Sequence, residues 1–464
     1  MKSTMMQVPL SLNHFLERAK LYHPKVEIVS RMPDKSLHRH TYADFHRRAK
    51  GLAEALVKAG IQPGDRVATL MWNHYAHLEC YFGIPAAGAV MHNLNLRLFP
   101  HDIAFIVNHA KDRFLIVDDV LLPLLAQFAK DVNFERIIVV PLTGKPVPQG
   151  YEDYEGFIGG ATDDFKCVEV DENAPCGMCY TSGTTGSPKG VVYSHRSTVL
   201  HTLVAALPGG INVSGTDTVL PVVPMFHVCA WGVPYSAPIA GSSILFPGAG
   251  MDGASLYGLI DGEKATSLLG VPTVWLGLLN YIDSVNGNLD SVENVVIGGS
   301  AAPRSMMEKF HDKYGVFPIH AWGMTEMSPM GCLCVKTPYL LSADKDARAA
   351  IQSKQGRPVF GVDMKIVDDQ DRDLPHDGKT FGRLMVRGSW VASGYYKSDD
   401  RSAFRGGWFD TGDVAVGSPD GYFVIADRVK DLIKSGGEWI SSVELENEIM
   451  AHPQVLEAAV IGVP

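Results

Sequence analysis

A chain of 464 residues, 46% hydrophobic and 20% charged, is too long for one ordinary domain and too apolar for a disordered one. Its net charge of −10 argues against a nucleic-acid binder that works by neutralising phosphates. Met1 to Leu10 holds one lysine and no apolar secretory core, and seven cysteines in a chain of this length read as reduced thiols, so a cytoplasmic location is expected.

Thr41 is a natural N-cap for a helix from Tyr42 to Ala59, with Phe45, Ala49, Leu52, Ala53 and Leu56 on one face and Gly60 at its end. Arg66 to Met71 reads as a strand and Asn73 to Ala87 as a helix. A Leu-rich helix from Leu121 to Lys130 is predicted between strands at Arg113 to Val117 and Arg136 to Val140. Such alternation implies a parallel sheet with helices on its faces. The Pro-, Gly- and Asp-rich stretch 144–172 reads as a surface connection. Strands resume at 218–223, 243–246, 267–270, 295–297 and 317–321. Residues 218–251 carry no charge and could span a bilayer by length, but Pro221, Pro224, Pro234, Pro238 and Pro247 would break a spanning helix. No integral membrane segment is expected.

From Gln355 the pattern changes to short alternating runs with frequent glycine, such as Asp363 to Val367 and Phe381 to Val386, which predicts a small β-rich unit. A helix from Ser442 to Ala451 and a strand from Ala458 to Val463 follow. The expected fold class is α/β: two α/β halves at about 1–170 and 171–350, a β-rich subdomain at about 351–429, and the start of a small α+β domain over 430–464, truncated in mid-fold.

The chemistry concentrates in a few short segments. Thr181-Ser182-Gly183-Thr184-Thr185-Gly186-Ser187-Pro188-Lys189 combines glycines, hydroxyls and one lysine between two apolar runs. Glycine lets successive N–H groups face one anion, while the hydroxyls and Lys189 add donors and charge. The spacing is not that of a Walker A loop. A polyphosphate cradle and a flexible Ser/Gly linker both suit this segment taken alone. Cys176 and Cys179 form a C-x-x-C that could serve zinc or redox chemistry, or be buried strand cysteines. Pro224-Met225-Phe226-His227 places a histidine at the end of an apolar strand, where it is a core residue or a site residue. Gly298-Gly299-Ser300-Ala301-Ala302-Pro303 offers small residues against which a flat ring could lie, or a tight turn. Glu326 is a candidate oxygen ligand for Mg²⁺. Trp408-Phe409-Asp410-Thr411-Gly412-Asp413 offers carboxylates suited to ribose hydroxyls, as does Asp427-Arg428 with its bidentate cation. Lys434 to Glu438 is a second Gly-rich turn.

In this order, Tyr180 to Gly190, Trp322 to Glu326, Trp408 to Asp413 and Asp427 to Glu438 resemble the acyl-adenylate-forming enzymes, over nearly the whole chain. The resemblance implies a large N-terminal domain over 1–429 and a reaction with ATP, Mg²⁺ and coenzyme A. It implies that Thr181, Ser182, Gly183, Thr184, Thr185, Gly186 and Lys189 hold the β- and γ-phosphates. Gly299, Ser300, Ala301, Ala302 and Pro303, with Ala321, Trp322, Gly323 and Met324, would flank adenine. Thr325 would contact the α-phosphate, Glu326 would bind Mg²⁺, and Asp413 and Arg428 would hold the ribose. His227 would sit by the substrate carboxylate, Lys430 at a domain hinge, and Gly436 and Gly437 along the thiol tunnel.

Amino-acid-activating relatives carry an aspartate at the His227 position, so the resemblance implies an acid without an α-amino group. Its pocket would be lined by Val228, Cys229, Trp231, Gly298, Gly299, Trp322, Met324, Pro329 and Met330, an apolar set whose tryptophans favour a short or medium chain. Phe45-His46-Arg47-Arg48, Met71-Trp72-Asn73-His74 and Ala321 to Pro329 resemble a bacterial fatty-acid–CoA ligase subgroup that includes the 3-(methylthio)propionate–CoA ligases. A long-chain ligase is the alternative. Homodimers are common in such ligases. Relatives continue past the hinge to a lysine that bridges carboxylate and α-phosphate. This sequence stops at Pro464 without it, so the expectation is a piece that binds ATP or AMP and adenylates poorly, or a nucleotide-binding remnant.

Overall fold

A computed structural model describes residues 1, 3–160, 164–181 and 187–429, and beyond these 433–435, 438–440, 442, 445, 446, 449, 455, 458, 460 and 461. The chain divides into two compact units. The first comprises 1–206, 213–250 and 395–397; the second comprises 207–212, 251–394 and 398–464.

In the first unit the strands are β1 (Glu27–Arg31), β2 (Leu37–Thr41), β3 (Arg66–Leu70), β4 (Val90–Asn93), β5 (Asp112–Asp118), β6 (Arg136–Val140), β7 (Glu152–Asp153), β8 (Pro175–Tyr180), β9 (Gly190–Ser194), β10 (Thr218–Pro221) and β11 (Ser243–Phe246). Seven of them form a sheet in the order β7-β6-β5-β3-β4-β8-β9, parallel except for the β8–β9 hairpin. β8 and β9 thus lie beyond residue 170 yet belong to the sheet that β3 begins. A second group runs β2-β1-β11-β10.

The helix Tyr42–Lys58 starts as expected: Thr41 accepts from the Asp44 N–H and Asp44 accepts from the Thr41 N–H, a reciprocal cap. Phe45, Ala49, Leu52, Ala53 and Leu56 are all buried on its inner face. Two expectations need correction. The Leu121–Lys130 helix reduces to one α-turn, Leu122–Leu125, between 3₁₀ turns. Beyond it Gln127 and Phe128 bond back three residues rather than four, a tightening that accompanies the burial of Phe128. The 144–172 connection contains β7 and the helix Tyr154–Ile158, whose Tyr154 hydroxyl donates to the buried Glu79 at 2.8 Å.

The second unit continues with β12 (Ser267–Gly270), β13 (Asn294–Ile297), β14 (Phe317–Gly323), β15 (Met330–Leu333) and β16 (Arg357–Pro358). The first three run parallel and the last two are antiparallel additions. The expected β-rich part is an antiparallel sheet of β17 (Val362–Val367), β18 (Phe381–Gly388), β19 (Phe404–Arg405), β20 (Trp408–Gly417) and β21 (Phe423–Arg428). A final hairpin pairs β22 (Ile433–Ser435) with β23 (Glu438–Ile440). The expected helix from Ser442 and strand from Ala458 fall largely outside the described residues. Among the described residues no helix is long and apolar enough to cross a membrane.

Candidate functional site

In the first unit, the phosphate-loop candidate is the tip of the β8–β9 hairpin. Thr181 N–H donates to the Lys189 carbonyl at 3.0 Å, and Lys189 N–H donates to Thr181 Oγ1 at 3.2 Å. The two outermost loop residues therefore close the hairpin on each other. Ser182, Gly183, Thr184, Thr185 and Gly186 lie outside the described residues. A Cβ on Gly190 would come within 2.9 Å of the Tyr180 ring, so only glycine permits this approach at the hairpin root. Lys189 is exposed, and its Nζ sits 4.8 Å from the centroid of the Tyr395 ring. Cys176 and Cys179 are buried in β8. No cluster of three His, Cys, Asp or Glu among the described residues could hold a metal ion.

His227 does not end a strand: β10 stops at Pro221, and a loop carries the chain on to His227. Asn73 secures that loop. Its amide donates to the Pro221 and Val223 carbonyls, both at 2.9 Å, and its Oδ1 accepts from Met225 N–H at 2.7 Å. Phe226 packs edge-on to Trp72 and lies under the Arg97 guanidinium. His227 is exposed as a residue, yet surrounding protein desolvates its ring; this desolvation, and then the Arg97 charge, hold its pKa below the ordinary histidine value. The next four residues turn left-handed, with φ of 44° at Val228, 52° at Cys229, 45° at Ala230 and 56° at Trp231. That conformation costs about 1–2 kcal/mol for each non-glycine residue. Asn93, whose amide lies 3.7 Å from Cys229 Sγ, and the burial of Val228, Cys229 and Ala230 hold the turn.

In the second unit, Gly298 to Pro303 leave the end of β13. The Ala302 N–H donates to His320 Nε2 at 3.2 Å, while His320 Nδ1 lies 3.2 Å from the Gln352 carbonyl. The two contacts select one neutral tautomer, and burial pulls the His320 pKa down to about 4. On β14, Ala321, Trp322 and Gly323 are partly exposed. A Cβ on Gly323 would lie 1.9 Å from the Pro329 carbonyl oxygen, which accepts from Met324 N–H at 3.0 Å. Glycine there lets the 324–329 segment fold back. Thr325 and Glu326 are both buried, and the Glu326 carbonyl accepts from Ala392 N–H at 2.7 Å.

Asp413 and Arg428 face each other across β20 and β21. Arg428 Nε lies 2.9 Å from Asp413 Oδ1, and the Trp322 indole N–H donates to Asp413 Oδ2 at 3.1 Å. The expected adenine-flanking strand and the expected ribose ligands therefore meet at one buried carboxylate. Glu326 is a buried carboxylate, an oxygen donor of the kind that magnesium takes. Lys430, Gly436 and Gly437 lie outside the described residues.

Residues 15–396 match the AMP-binding enzyme family. The chain belongs to this family. Among AMP-binding enzymes, the 3-methylmercaptopropionyl-CoA ligase of Ruegeria lacuscaerulensis is 46% identical over 468 residues, covering 100% of this chain and 87% of the relative. The long-chain-fatty-acid–CoA ligase of Thermus thermophilus is also 46% identical, over 465 residues, covering 100% and 85%. The crystal structure of an anthranilate CoA ligase in complex with anthranoyl-AMP superposes with a TM-score of 0.89 at 26% identity, covering 100% of this chain and 86% of that one.

Motif reading missed four residues of this AMP-binding enzyme that the geometry makes prominent. Asn73 lies in Met71-Trp72-Asn73-His74, where its residue type alone gives no sign of the loop that it holds. His320 was visible as one histidine in an otherwise apolar strand. Tyr395 and Tyr396 carried no signal beyond two adjacent aromatics.

Proposed function

We propose that this chain activates a carboxylic acid with ATP and passes the acyl group to coenzyme A, releasing pyrophosphate and then AMP. The observation that carries this reading is the buried Asp413 carboxylate held by Trp322 and Arg428. With Oδ1 and Oδ2 each engaged once, each oxygen retains a lone pair able to accept a ribose hydroxyl.

In the first step a carboxylate oxygen attacks the α-phosphorus, an O–P bond forms, and the bond to the β-phosphate breaks. Negative charge builds on the α- and β-phosphate oxygens. Donors placed in advance stabilise it because they need no reorganisation. Thr325 serves the α-phosphate; Thr181, Ser182, Gly183, Thr184, Thr185, Gly186 and Lys189 serve the leaving pyrophosphate. Glu326 would hold magnesium, which when bound would supply further charge neutralisation. Gly299, Ser300, Ala301, Ala302, Pro303, Ala321, Trp322, Gly323 and Met324 flank adenine. In the second step the coenzyme A sulfur attacks the acyl carbon, a C–S bond forms, AMP departs, and the thiol proton is released. Lys430 serves as the hinge between the steps, and Gly436 and Gly437 line the thiol path.

The acid is a short- or medium-chain fatty acid or 3-(methylthio)propionate. His227, largely neutral at pH 7, adds no charge beside the acid's carboxylate but can donate one hydrogen bond to it. The residues that the resemblance assigns to the apolar tail are Val228 and Trp231 in the first unit and Gly298, Gly299, Trp322, Met324 and Pro329 in the second. Equal identity to a methylmercaptopropionyl-CoA ligase and a long-chain ligase leaves identity silent on chain length. The two tryptophans of this apolar set, Trp231 and Trp322, favour the shorter chain by capping its depth. A coupled thioester assay across butyrate, octanoate, 3-(methylthio)propionate and palmitate tests the reading. Palmitate as much the best substrate would replace it with the long-chain alternative; no thioester from any acid would reject ligation.

A further inference from the structure

Residues Tyr395–Lys397 pack with the first unit, although the chain on both sides of them belongs to the second. They fasten onto the root of the β8–β9 hairpin. Tyr396 N–H donates to the Gly190 carbonyl at 2.8 Å, immediately after Lys189. The Tyr396 ring meets the His109 ring edge-on at 5.7 Å, and Lys397 Nζ donates to the His109 carbonyl at 2.7 Å. His109 Nδ1 lies 2.7 Å from the hydroxyl of Tyr180, the residue before Thr181. These contacts form a closed circuit around the hairpin root, and they set the Tyr395 ring 4.8 Å from Lys189 Nζ.

We propose that Tyr395 is a positioning residue for Lys189, holding its ammonium ready for the β- and γ-phosphates of ATP. An exposed lysine gives up rotamer freedom when it is fixed. A ring face restrains the ammonium by its quadrupole while leaving the N–H donors able to turn to phosphate oxygens. The ring therefore orders the lysine without occupying the groups the phosphates need. Anchoring through Tyr396 and Lys397 makes the ring a fixed platform rather than a second mobile side chain. This inference rests on the nucleotide reading above.

Calorimetric titration of the full chain with ATP, and separately with AMP, tests it. Tyr395→Leu is expected to weaken ATP about two- to five-fold, the size of an exposed cation–π pair, and to leave AMP, which lacks the outer phosphates, unchanged. Tyr395→Phe keeps the ring and restores the ATP affinity. In a Lys189→Met background, Tyr395→Leu has no further effect. Tyr395→Met serves as the second variant should the leucine form fail to fold. Equal loss for ATP and AMP, or an effect that persists without Lys189, overturns the proposal while the nucleotide reading stands. A wild-type chain that binds neither nucleotide overturns both.

Discussion

The Trp322 indole N–H donates to Asp413 Oδ2 at 3.1 Å, across 91 residues of sequence. This bond and the Arg428 guanidinium favour the ionised carboxylate. Burial opposes them and prevails, aided by the Glu326 and Asp410 carboxylates, so the Asp413 pKa rises to about 6. The folded value lies above the ordinary 3.8. Asp413's contribution to stability is therefore fully present below about pH 4, is lost as pH rises towards 6, and is constant above that. Ribose binding runs the other way, since the ionised form is the better acceptor. The KM for ATP should rise by up to about tenfold between pH 7 and pH 5, following the ionised fraction of a group titrating near 6. Asp413→Asn should raise the KM at pH 7 and remove that part of the pH dependence. A profile identical in both forms would remove Asp413 from nucleotide binding.

Trp322→Phe keeps an aromatic ring beside the expected adenine position and deletes only the donor. A hydrogen bond to a charged group is worth about 1.5–3 kcal/mol, so its loss should raise the Asp413 pKa by about one to two units. The pH profile for ATP should then shift upward by that amount, with KM at pH 7 raised several-fold. An unshifted midpoint would mean that Trp322 acts only by stacking.

The α/β organisation was legible because local signals agreed with one another: the Thr41 cap, the apolar face from Phe45 to Leu56, and regular strand–helix alternation. The motif positions Thr181, Lys189, Glu326, Asp413 and Arg428 could be named because their residue types suit phosphate, cation and ribose. What escaped was set by distant partners. β1 pairs with β11, more than two hundred residues away, and the polar run Leu37–Thr41 shows no alternation that marks it as the edge strand it becomes. The left-handed turn at Val228–Trp231 was unreadable, because valine, cysteine, alanine and tryptophan each favour negative φ. Only the fold around Asn73 and Asn93 holds it there. Tyr395 likewise gained meaning only from where Tyr396 and Lys397 are tied.

His320 joins the Gly298–Pro303 segment to the Gln352 carbonyl through a buried ring. His320→Leu would leave the Ala302 N–H and the Gln352 C=O without this partner. Each such loss costs about 1–3 kcal/mol, so a denaturant titration should show destabilisation of about 2–6 kcal/mol, with weaker binding of AMP. His320→Gln, which can present both an acceptor and a donor, should recover part of the stability. If the leucine variant is as stable as the wild type, the ring is not the anchor of this segment.

Trp231 is half-buried at the end of the left-handed turn and is the largest side chain of the expected acyl wall. An aromatic side chain of this kind covers 150–250 Å², an area several methylene groups could take over. Each newly accommodated methylene is worth about 0.8 kcal/mol, close to fourfold in kcat/KM. Trp231→Ala should therefore raise the ratio of kcat/KM for palmitate over octanoate by at least about tenfold, while KM for ATP stays unchanged. Activity on butyrate should fall, since a short chain would leave the enlarged wall unfilled. If the palmitate-to-octanoate ratio is unaltered, Trp231 does not bound the chain and the length preference lies with other residues. If the ratio and the KM for ATP change together, the turn positions the nucleotide as well as the acid.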